Sequence, residues 1–133
     1  MRRRVLLAAA ATLAAGCLHA NSYDPDEVRN DAQEYDYQAL NQGDVEQGSS
    51  VHFPDARVRQ ISGGDGSDYR IVIDTRRTDE GWEDDVFGIW SEEELDLEED
   101  DEVEVYGVYE GEWTHQGSDR TVPQITIVDY EQS

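Results

Sequence analysis

Hydrophobic and polar residues alternate with a period of two over most of the chain beyond residue 50, the pattern of half-buried strands. Val51-His52-Phe53 opens a first strand that resumes through Ala56 and Val58 to Ile61. Pro54 interrupts it, and the apolar set slips phase between Phe53 and Val58, as a bulge at an edge requires. The glycine-rich run Ser62–Asp68 predicts a turn. Tyr69, Ile71 and Ile73 alternate as a second strand, and Arg76–Asp85, with Trp82 inside it, reads as a loop. Val86–Trp90 is a third strand, apolar on both faces, and Phe87, Trp90 and Tyr106 are expected in the core. Ser91–Glu102 is acidic, broken by Leu95 and Leu97; Ser91 and Glu94 have capping-box spacing, which predicts a single helical turn. Val103, Val105, Gly107 and Tyr109 share one face of a fourth strand, with Tyr106 and Val108 on the other. Gly111–Thr121 reads as a loop, and Val122–Tyr130 as a fifth strand with Ile125 and Ile127 inward.

Upstream, Ala32–Asn41 predicts a short helix with Tyr35, Ala39 and Leu40 on one face, stopped by Gly43. Leu18–Asp31 is polar and acidic and reads as a flexible tether. The expected architecture is mainly β. It is a small five-stranded, OB-fold-like barrel with one short N-terminal helix, occupying residues 32–133. Closure would also remove exposed strand edges.

The start of the chain has a different logic. Met1-Arg2-Arg3-Arg4 is basic, Val5–Ala15 is apolar except for Thr12, and Gly16-Cys17 follows. This order predicts a signal peptide over residues 1–16. The apolar run is far shorter than the roughly 20 residues that span a bilayer. Leu13-Ala14-Ala15-Gly16-Cys17 resembles the lipobox of prokaryotic lipoproteins, with Ala14 where a large aliphatic residue usually stands. The resemblance implies cleavage before Cys17, lipidation of its thiol, and a lipid-anchored tether over 17–31. Cys17 is the single cysteine, so no internal disulfide can form. The adjacent arginines also resemble a twin-arginine export signal. Together these features imply a domain held at the extracytoplasmic face of the cell membrane.

Charge changes the picture further. The chain carries 32 Asp and Glu against 10 basic residues, a net charge of -22. Arg2, Arg3 and Arg4 are three of those ten, which leaves seven basic side chains to face all 32 acids. Every basic residue is Arg. Acidic excess without Lys resembles proteins of extremely halophilic archaea, where molar salt shrinks the Debye length to about 3 Å and relieves self-repulsion. The charge then serves solvation. At ordinary salt it argues against nucleic acid as a partner, since phosphates repel it; in molar salt that repulsion weakens, as does electrostatic attraction.

Several segments together resemble a group of small prokaryotic surface lipoproteins with an OB-fold-like domain. They are Tyr35-Asp36-Tyr37-Gln38-Ala39-Leu40, Val51-His52-Phe53, Val105-Tyr106-Gly107-Val108-Tyr109-Glu110-Gly111 and Thr121-Val122-Pro123-Gln124-Ile125. The chain departs from that group at Pro54-Asp55-Ala56, where it is one residue longer. The resemblance implies the fold and carries no activity with it.

The residues offer little for catalysis. No serine sits in a nucleophile-elbow motif, His19, His52 and His115 are scattered, and carboxylate pairs arise everywhere among 32 acids. No calcium-loop spacing appears in the acidic runs, so neither a metal nor a cofactor is expected. Tyr109, Trp113 and His115 run from the fourth strand into the loop that borders the usual OB-fold binding face. Arg76-Arg77 offers two cations for a phosphate or carboxylate. Capping the barrel and pairing with neighbouring acids are the structural alternatives for these groups. The expected function is non-enzymatic binding of a surface protein or small ligand through these residues. The alternatives are an envelope component without ligand, or an oligosaccharide or single-stranded nucleic acid on the barrel face.

Overall fold

A computed structural model describes residues 23–64, 68–92, 94–114 and 120–132. The expected signal peptide over residues 1–16, Cys17 and His115 lie outside the described residues. Five strands, β1 (Ser50–Gly63), β2 (Tyr69–Thr78), β3 (Gly81–Trp90), β4 (Glu102–Thr114) and β5 (Thr121–Gln132), close a barrel in the order β1-β2-β3-β5-β4. This is the expected OB-fold-like architecture. All neighbours are antiparallel except β3 and β5, which meet in parallel over Phe87↔Gln124, Gly88↔Ile125 and Ile89↔Thr126.

The period-two positions fill the interior. Val58, Ile71, Ile73, Val86, Val103, Val105, Ile125 and Ile127 belong to one buried cluster. Each such aliphatic contributes roughly 1.5–3 kcal/mol relative to exposure. At Gly107 a Cβ would sit 2.6 Å from the Thr126 carbonyl oxygen, so only glycine lets β4 and β5 approach this closely. The phase slip in β1 is a bulge: its register on β4 shifts between Phe53 and Ala56, and Pro54 is exposed there. Beyond the bulge β1 stays on β4 through Ala56↔Val103 and Arg57↔Glu102, and from Arg57 onward it pairs with β2, with a second shift at Val58/Gln60 that puts Arg59 in the bulge.

Four segments differ from the sequence expectation. Two short helices replace one: α1 (Pro25–Asp31) and α2 (Tyr37–Asn41). Part of the expected tether is therefore α1. Asp24 caps it by accepting from Asp26 N, Pro25 occupies its first turn, Val28 is buried, and Arg29 pairs with Asp129 at 2.6 Å. The expected helix from Ala32 starts only at Tyr37, capped by Asp36, because Gln33 instead bridges β1 at Val51. Arg76–Asp85 is the end of a hairpin, paired through Arg76↔Glu83, Arg77↔Trp82 and Thr78↔Gly81. Among the described residues, 91–92 and 94–101 form a strap without a helix; Leu97 is buried and Leu95 packs on the same cluster. Gly111–Thr114 extends β4 where a loop is expected.

Candidate functional site

The register places three rows of side chains on the outer face of β1, β2 and β3. Val58, Ile73 and Val86 point inward, so their neighbours Arg57, Asp74 and Asp85 form an outward row. The next row is Gln60, Val72 and Phe87, continued by Gln124 of β5, and the third is Ser62, Arg70 and Ile89.

The first row carries two buried carboxylates. Asp74 is 0% exposed and Asp85 3%, and they lie opposite each other across β2 and β3. Side by side they repel, and burial strips their water. Arginines answer both costs. Arg57 Nη2 donates to Asp74 Oδ2 at 2.8 Å, and Arg59 grips the same carboxylate through Nη2 at 2.6 Å and Nε at 3.2 Å. Arg120, just before β5, donates to Asp85, and this bond raises the guanidinium's pKa. The Tyr37 hydroxyl donates to the Asp85 carbonyl at 2.9 Å. Burial, reinforced by Asp85, pushes that phenol up to about 12, so it stays a donor. The network ties α2 and the start of β5 to β3, and it neutralises this row.

The second and third rows contain no acid. Phe87 is 8% exposed but lies outside the core; Trp113, from the end of β4, stacks on it with centroids 4.1 Å apart and planes 9° apart. Val72 and Ile89 are half-buried beside this pair. The side chains of Gln60, Gln124 and Arg70 make no hydrogen bond or ion pair with any other described residue. Four of the seven arginines beyond residue 22, namely Arg57, Arg59, Arg70 and Arg120, lie on this face or directly before β5, against the two acids Asp74 and Asp85. An otherwise acidic chain thus has one neutral-to-basic, aromatic face.

The structure sorts the residues singled out from the sequence. Trp113 is on the face. Tyr109 is not: it is 1% exposed, and its hydroxyl donates to Leu40 O of α2. Its place in the Val103-Val105-Gly107 phase turns it into the core, and burial raises its pKa. Arg76 is held by Glu83 and Asp84 at 3.0 and 2.8 Å. Arg77 pairs with Glu102 and lies 4.8 Å over the Trp82 ring. Both sit at the hairpin tip, away from the central rows. Phe87 is buried as expected, but beneath the Trp113 ring on the outer side of the sheet and not in the interior cluster. Tyr106 is likewise outside, half-buried, its ring 4.5 Å from that of His52. Trp90 is half-buried against Tyr130.

Sequence reasoning missed Phe87, Gln60, Arg70 and Gln124. Period-two alternation carried the signal, since residues 60, 70, 72, 87 and 124 fall out of phase with the core, but their convergence depends on register. Among the described residues, no group of three or more His, Cys, Asp or Glu is placed to hold a metal ion. No family model, curated protein or solved structure matches the chain.

Proposed function

We propose that this chain is an exported, lipid-anchored binding module that docks a partner protein on the outer face of β1, β2 and β3. The observation that carries the reading is the acid-free centre of that face on a chain with 32 acids. Centres of protein interfaces are depleted of charged residues other than arginine and enriched in aromatics, and the Trp113–Phe87 stack with Arg70 beside it has that composition. The idle side chains of Gln60 and Gln124 supply hydrogen-bonding capacity. A sheet surface suits a protein better than a small molecule, which needs a cleft. The lipobox-like Leu13–Cys17 segment and the single cysteine support membrane anchoring, and the acidic composition supports a saline surface environment.

Placing a photo-crosslinker at Gln60 or Gln124 in native membranes, at native salt, tests the docking reading. One discrete adduct should form, and Trp113→Ala should weaken it about 30-fold or more, the cost of a roughly 2 kcal/mol hot spot. No adduct, or the same adduct from a probe at Glu27 on α1, would refute the reading. Cys17→Ser should release the protein from membranes, and continued retention would refute the anchor.

A further inference from the structure

A second feature lies apart from the three rows. A cleft of about 790 Å³ opens between the segment entering α1, the end of β3, the strap and β5. Tyr23, Trp90 and Tyr130 supply rings, Ile127 and Val128 supply aliphatic lining, and Glu92, Glu94 and Asp96 stand at the exposed rim. The Trp90 and Tyr130 rings meet at 65° with centroids 5.1 Å apart, so they form two walls of a corner.

The polar tips of all three rings are engaged. Trp90 Nε1 donates to Glu94 O at 2.9 Å, Asp96 N donates to the Tyr130 hydroxyl at 2.9 Å, and the Tyr23 hydroxyl donates to Glu110 Oε2 at 3.3 Å. What the rings offer the cleft is therefore carbon and π surface, edged by carboxylates. Among the described residues, no arginine lines it. The negative π face attracts cations. A primary ammonium or guanidinium carries N–H groups that need acceptors, and here the carboxylates are confined to the rim. A quaternary ammonium, alkylated at all four positions, has no N–H to satisfy, so it loses least on entering an aromatic corner.

We propose that this cleft binds an organic cation with a quaternary ammonium head. The site is independent of the docking face, and its test separates the two. The full chain is titrated with choline and, in parallel, with 3,3-dimethylbutanol, its uncharged isostere, at matched ionic strength, reading tryptophan fluorescence and heat. Choline should bind saturably, and the isostere should bind about tenfold more weakly, the share expected of a cation–π contact. Trp90→Leu should weaken choline by a similar factor, whereas Trp113→Leu should leave its affinity unchanged. Tyr23→Leu, at the edge of the cleft, should also weaken binding and guards against a Trp90 variant that fails to fold. Equal affinity for the two probes, no saturation, or undiminished binding by both Trp90→Leu and Tyr23→Leu would overturn the proposal.

Discussion

Removing the two sides of the buried ion cluster should have unequal consequences. Asp74 is 0% exposed at its side chain, whereas its partners Arg57 and Arg59 keep 29% and 42% of theirs exposed. In Asp74→Leu, both guanidinium groups can turn toward water, and an apolar side chain of similar bulk fills the site. Exchange of a buried charge for a packed apolar group is often near neutral, so this variant should lose less than about 1.5 kcal/mol. The double variant Arg57→Met with Arg59→Met does the opposite. It leaves a carboxylate that has no water to turn to, and an uncompensated buried charge costs about 3–5 kcal/mol. For a domain of this size, 1 kcal/mol moves Tm by roughly 4–8 °C. The double variant should therefore melt at least ~12 °C below wild type, and Asp74→Leu within ~12 °C. Calorimetry in one salt concentration, with reversibility checked, measures both. A Tm loss in Asp74→Leu that equals or exceeds the loss in the double variant would refute the assignment of cost to the carboxylate.

Further expectations follow from single contacts. Tyr109→Phe removes the hydroxyl donor on the Leu40 carbonyl, which keeps the Gly43 amide, and should cost about 0.5–1.5 kcal/mol in denaturant unfolding, with the barrel retained by circular dichroism. Gly107→Ala forces a Cβ against the Thr126 carbonyl and should cost about 1–3 kcal/mol, while Gly107→Val should cost more. The Glu104 carboxyl is held below its usual value of 4.5, first by the 2.6 Å contact with His52 Nε2 and then by the Tyr106 hydroxyl and Arg29, against the opposing effect of burial. A depressed folded-state value stabilises above the unfolded value and is lost as pH falls through the folded one. Unfolding midpoints should thus drop on acidification below 4.5, and Glu104→Gln should flatten that part of the profile.

The barrel was legible because its interior is aliphatic and its strands keep phase: Ile71 and Ile73, Val103 and Val105, and Ile125 and Ile127 are in-phase pairs buried in the core. Even the Pro54 bulge left a trace, as the slip between Phe53 and Val58. The hairpin tip was not legible, since Arg76, Arg77 and Glu83 look like loop and are held as strand by cross-strand pairing. Asp74 and Asp85 were invisible among 32 acids, because burial of a carboxylate depends on arginines that reach it from other strands. Tyr109 shows the opposite failure. Its phase with Val103 and Val105 already placed it inside, against the role assigned to it. Trp113 of β4 and Phe87 of β3 are far apart in sequence and meet because β5 runs between these two strands, pairing with both. Asp24-Pro25 carried a helix-start signal that the acidity around it obscured.

The parallel junction of β3 and β5 has a dynamic consequence. It rests on three register pairs, whereas β4 holds β5 from Val103↔Gln132 to Thr114↔Thr121. Parallel pairing is also slightly weaker per residue. Local opening should begin there, and those amides of 87–89 and 124–126 that donate across the seam should take up deuterium before the amides that bond β4 to β5. Phe87 and Ile89 lie on one side of this seam and Gln124 on the other. A protein bound across them would have to be displaced before the seam could part, so occupancy of the face should register as slowed exchange at these seam amides.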